Sequence, residues 1–165
     1  MEFLELNEVA EWARERGLVI GEYFRVILPE LPHRARLVYA HGQRSGLEGA
    51  AAQSCIRACI GWKQCLLVAT EWGIWPSSED WPRFYAWRGA RDERRSLEKA
   101  PGHLFGAEES DELCALLTQV LEYAWDASLL FDIAGSATTT IAKISHDEWL
   151  EVRSRQPVSL APVAA

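Results

Sequence analysis

The sequence predicts a single α/β domain: a mixed sheet of four or five strands, one parallel strand-helix-strand crossover, and helices packed against the sheet. Three observations carry this. Short apolar runs of strand length alternate with segments of helical periodicity. A strand, a small-residue helix and a very apolar strand follow one another between residues 35 and 70, the order of a right-handed crossover. No repeat and no shift of composition marks a second domain. The domain is placed at residues 1–155, and residues 156–165, uncharged and rich in Pro and Ala, read as a flexible C-terminal tail.

The elements are justified in order. Asn7 is a suitable N-cap for a helix over 8–16, which sets Val9, Trp12 and Ala13 on one face and stops at Gly17. Residues 23–28 read as a strand closed by Pro29 and Pro32, and 35–40 as a second. The helix over 47–60 carries Gly49, Ala50, Ala51, Ala52 and Ala58, small enough to lie close on a sheet, and Gly61 ends it. Residues 64–70 form the most apolar strand. Ser77 or Ser78 then caps a helix with Glu79 and Asp80 in its first turn, and Trp81, Phe84, Tyr85 and Arg88 share a face. Residues 103–105 are a short extended piece. Ser110 caps the clearest helix, 111–125, where Leu113, Leu116, Leu117, Val120 and Leu121 recur at helical spacing. Residues 128–133 and 138–144 form a strand pair around Gly135. Ser145 and Glu148 read as a capping box for a short last helix near Trp149.

With 165 residues, the chain needs neither metal nor disulfide to build a core. A formal charge of -7 argues against nucleic acid as a partner. The one basic gathering, Arg88, Arg91, Arg94 and Arg95, is interleaved with Asp92, Glu93 and Glu98, as on a solvated helix face with internal ion pairs. The first residues lack a signal peptide's apolar stretch and no run is long enough to span a bilayer, so a cytoplasmic protein with reduced thiols is expected. Cys55, Cys59, Cys65 and Cys114 include no C-x-x-C pair, and they read as core residues rather than metal ligands.

Two stretches carry candidate site residues. The loop 41–46 is punctuated by glycines before a helix and holds His41 and Arg44, suited to an anion, although it matches neither a P-loop nor a dinucleotide fingerprint. The segment 71–81 follows the apolar strand and crowds Glu71, Trp72, Trp75 and Trp81 around a bend at Gly73 and Pro76. Rings beside carboxylates suit a base, a sugar or a partner's basic side chain. Ser77, Ser78, Glu79 and Asp80 have a sufficient task as caps, which leaves Glu71, Trp72 and Trp75.

The string Glu71-Trp72-Gly73-Ile74-Trp75-Pro76-Ser77-Ser78-Glu79, with Pro101-Gly102-His103-Leu104-Phe105 downstream, resembles the signature of a family of small bacterial proteins. The resemblance spans roughly residues 65–133 and implies no activity, cofactor or catalytic residue. The reading that follows is a non-enzymatic bacterial binding or interaction domain, of an immunity or accessory type. It would use the aromatic-acidic surface at 71–81 on a protein partner with a basic surface. The alternative is a small-molecule enzyme or ligand sensor that takes an anionic or sugar-like ligand between the 41–46 loop and Glu71–Trp75. No nucleic acid, membrane, metal or cofactor is called for.

Overall fold

The apolar run after Gly61 becomes β5 (Trp62–Glu71), a long strand with neighbours on both sides. The structure is a computed structural model and describes residues 1–22, 25–27, 29–38, 47–71, 81–123, 125–133 and 139–161. Around β5 lie β1 (Glu2–Leu4), β4 (His33–Val38), β6 (Gly102–Gly106), β7 (Asp126–Ile133), β8 (Thr139–Ser145) and β9 (Trp149–Ser154). They form a seven-stranded sheet in the order β1-β6-β5-β7-β8-β9-β4. A separate hairpin pairs β2 (Val19–Ile20) with β3 (Val26–Ile27).

Every pairing in the large sheet is antiparallel, which corrects the expected mixed sheet of four or five strands with a parallel crossover. The helix α2 (Leu47–Ala58) does join two strands that point the same way, β4 and β5. They are not neighbours, however. β4 pairs with β9 at the sheet's edge, and β7, β8 and β9 stand between it and β5. Local pattern encodes a strand-helix-strand order, but which strands become neighbours depends on the β7-β8-β9 meander that follows much later.

A second expectation fails for a similar reason. The segment after Ser145 is a strand rather than a helix. Glu148 sits at a positive φ of 62°, its N–H bonds the Ser145 carbonyl at 3.1 Å, and the chain reverses tightly into β9. Leu150 and Val152 then recur at a period of two and face the core.

Side chains of α2, α3 (Trp81–Gly89) and α4 (Ser110–Glu122) fill the core on one face of the sheet. Ala51, Ala52, Cys55 and Cys59 of the α2 segment meet Leu113, Leu117 and Leu121 of α4 above Leu67, Leu129 and Ala142. Each fully buried leucine contributes about 1.5–3 kcal/mol. Burial pushes the Cys65 thiol up, and a hydrogen bond with Cys55 together with burial does the same for Cys59, so these thiols pack as small apolar groups. Ser54 of α2 accepts the Ala161 N–H at 2.8 Å, and Val158 and Leu160 lie against the same core.

Part of the other face is covered by α1 (Leu6–Glu15), which starts two residues earlier than Asn7 implies: Glu5 caps it, its N–H bonding the Glu8 carboxylate at 2.7 Å. Val9, Trp12 and Ala13 are buried as the spacing predicts, against Leu66, Val68, Leu104 and Leu130. Arg16 clamps the helix to the sheet. Its guanidinium lies 3.8 Å from the Trp12 ring centre and bonds Asp132 and Gln64 at 3.0 and 3.1 Å.

The basic gathering near residue 90 is not a solvated helix face. α3 ends at Gly89, and Arg88 has no exposed surface at all. Its guanidinium donates to the Ala100 and Arg95 carbonyls and approaches His103 Nε2 at 3.1 Å. The Phe3 ring lies 4.9 Å away. Burial, and then the Arg88 charge, push the His103 pKa from 6.5 down to about 3, so the imidazole is neutral and accepts from the arginine through Nε2. Arg95 pairs with the buried Glu93 at 2.5 Å and holds that carboxyl below its usual range.

Two consequences are measurable. A Cβ at Gly102 would stand 2.5 Å from Val9 Cγ2 and 3.0 Å from Leu4 Cβ, so Gly102→Ala should cost about 1–3 kcal/mol in urea unfolding by lifting α1 from the sheet. His103 is neutral when folded and basic when unfolded, so its contribution is whole above pH 6.5 and is lost as pH falls toward 3. Through that window it should remove about 1.4 kcal/mol per pH unit, and His103→Gln should flatten the slope by that amount.

Candidate functional site

β5 and β7 run antiparallel, and their register sets Glu71, the last residue of β5, opposite Asp126, the first of β7. The turn between β8 and β9 arrives at the same end of the sheet and brings His146 to Asp126. The Asp126 carboxylate accepts the His146 backbone N–H at 2.6 Å and its ring Nδ1–H at 3.1 Å. Two bonds to one carboxylate fix both the turn and the imidazole tautomer, and they make Nε2 the basic atom of the ring. Asp147 stands 3.6 Å from that nitrogen. A histidine oriented by an aspartate, beside the end of an interior strand, can bind an anion when protonated or accept a proton when neutral.

Of the residues singled out in the sequence, only the backbone of Glu71 falls within this picture. His41, Arg44, Trp72 and Trp75 lie outside the described residues. The strands that lead to the two predicted loops are separated by three others, so their ends stand about 19 Å apart at ~4.8 Å per strand spacing. The neighbouring parallel strands expected to bring the loops together are therefore corrected. Neither Asp126 nor His146 is among the candidate site residues of the sequence. Their link spans 20 residues of chain, and only the β7-β8 pairing reveals it.

A second polar surface was missed altogether. Residues directly opposite on neighbouring strands point to the same face. On β4, β9 and β8 this sets Arg36, Glu151 and Lys143 in one row, and Val38, Trp149 and Ser145 in the next. Arg34 faces Arg153. The Trp149 ring lies between two cations, 4.4 Å from the Arg36 guanidinium and 5.6 Å from the Lys143 ammonium. Glu151 is buried and holds Arg153 at 2.5 Å. Arg34 and Arg153 border a groove of about 440 Å³ with Glu30, Leu31 and Pro32. The alternation in His33-Arg34-Ala35-Arg36-Leu37-Val38 was the signal for this surface, and assigning Trp149 to a helix hid it.

Among the described residues, no group of three or more His, Cys, Asp or Glu side chains is arranged to hold a metal ion, and no helix is long and apolar enough to cross a membrane. What the fold defines is an α/β protein with one broad antiparallel sheet. Compared with protein-family models, curated proteins and solved structures, the chain gives no match.

Because Asp126 satisfies a backbone and a ring donor together, Asp126→Ala should destabilise the protein by about 1–3 kcal/mol in chemical unfolding. Asp126→Asn keeps an acceptor and should lose less.

Proposed function

We propose that this chain is a non-catalytic bacterial interaction domain, of an immunity or accessory type, that recognises a protein partner with a basic surface. The recognition surface is the aromatic-acidic stretch over 71–81, with Glu71, Trp72 and Trp75 as its anchors. The observation that carries the reading is the position of β5. It is an interior strand, bonded on both sides, and its chain leaves the sheet at Glu71 opposite a second acidic residue, Asp126. Large rings next to carboxylates on a rigid support match the way aromatic anchors and complementary charge divide affinity and encounter rate. The charge of -7 favours a cationic partner, and free thiols fit residence in a reducing cytoplasm. Affinity capture from the source lysate should recover a stoichiometric basic partner whose association slows with salt. The capture should be lost in Trp72→Ala and Trp75→Ala; a partner held equally well by both variants overturns the reading.

The Asp126–His146 pair favours a second reading, a small-molecule sensor or enzyme for an anionic or sugar-like ligand near Glu71, with His41 and Arg44 of the 41–46 loop as further contacts. A thermal-shift screen of nucleotides, sugars and phosphates tests it. A hit abolished by His146→Ala supports it, and a flat screen with intact protein retires it.

A further inference from the structure

The outer edge of β4 lies beside a sheet face that carries Arg34, Arg36, Arg153 and Lys143. We infer that β4 takes up an acidic, extended peptide segment of a partner protein as an added antiparallel strand.

β4 ends the sheet, and among the described residues no strand pairs with its outer side. A strand edge carries unsatisfied N–H and C=O groups, which an extended peptide completes. Natural edges are often protected by charge, and here the charge is of one sign. Arg34 and Arg36 are exposed, and neither has a carboxylate partner among the described residues. Arg34 also faces another arginine, Arg153, on the neighbouring strand; Arg153 has Glu151 as its carboxylate partner, which leaves Arg34 as the unpaired cation of the two.

The occupant follows from the geometry. Side chains on one face recur every second residue, so an added strand presents to Arg34 and Arg36 two of its own residues spaced by one. Val38, which is 72% exposed, continues the same face. The antiparallel strand that fits therefore reads apolar-x-acid-x-acid, with carboxylates able to meet the guanidinium forks bidentately.

Two other occupants fit less well. A second copy of this chain, paired about a two-fold axis, would set Arg36 against Arg34 or against another Arg36 in any extensive register, because opposite residues share a face. Nucleic acid needs a continuous cationic track for its row of phosphates, and Glu151 interrupts that track between Arg36 and Lys143, whereas a peptide needs only two carboxylates to meet Arg34 and Arg36.

The test uses the whole protein and a labelled peptide containing Val-Thr-Glu-Thr-Glu, read by fluorescence anisotropy. Binding is expected, weaker with added salt. It should fall by at least about tenfold for the Arg34→Gln, Arg36→Gln double variant, which sets no like charge opposite Glu151 and whose folding is checked by its melting curve. N-methylation of the alternate peptide amides that face β4 should abolish binding, whereas methylation of the other set should not. Any of these results overturns the inference: no binding of the peptide, equal binding by both methylated peptides, equal binding by a lysine-for-glutamate peptide, or stronger binding of a single-stranded oligonucleotide. A dimer in sedimentation that Arg36→Glu strengthens would do so as well, by giving the edge to a second copy.

Discussion

The Arg88 guanidinium, enclosed in the protein with no exposed surface, imposes the constraint around which one whole side of the molecule is arranged. A buried ion without partners is costly by several kcal/mol, and burial alone pulls this group's pKa below its ordinary value. The chain answers with acceptors from separate segments: the Arg95 and Ala100 carbonyls of the loop after α3, and the neutral His103 ring of β6. The Phe3 ring of β1 stands against the guanidinium, and Arg95, after pairing with Glu93, reaches back to the Phe3 carbonyl at 3.0 Å. One cation thus ties the short edge strand β1, the loop beyond α3 and the strand β6 into a single unit. Because the His103 ring must stay neutral for this, protonation of His103 works against the network.

Size decides what the opposite face can do. A helix of ten residues such as α1 is about 15 Å long and covers a band roughly 10 Å wide. Seven strands at ~4.8 Å span about 29 Å from first to last. One such helix cannot cover that width. α1 therefore packs over β6, β5 and β7, fixed there by Arg16, with Ile141 of β8 at the border of its cluster, and beyond Ile141 the face of β8, β9 and β4 carries polar and aromatic side chains. The cations and Trp149 that gather there are a direct result of this mismatch. They give an acidic protein a positive surface next to an open strand edge, at the far side of the sheet from β1.

Much of the secondary structure was legible because it depends on local pattern. The α4 leucines, the α1 face, the small-residue α2 and the stop at Gly61, whose φ is +79°, all follow from spacing and backbone preference within one turn or two. The candidate sites were far less legible. The Asp126–His146 pair needs β7 and β8 to be neighbours, and the arginine row needs β4 beside β9, a contact between residues more than a hundred positions apart. A run of mixed charge near residue 90 looked like a solvated surface, yet its first member is the most enclosed cation among the described residues. Nothing within one turn of Arg88 announces that burial, since its acceptors lie in the loop and strand that follow.

The sequence by itself determined a mixture of helices and strands with a small-residue helix between two strands of like direction, because hydrophobic period, caps and glycine stops act over a few residues. Only the tertiary structure decided that those two strands stand apart, that every pairing is antiparallel and that the last segment is a strand. Strand neighbours are chosen by whichever arrangement buries both faces of the whole sheet at once, and that choice is made between segments far apart in the chain, beyond the reach of any local pattern.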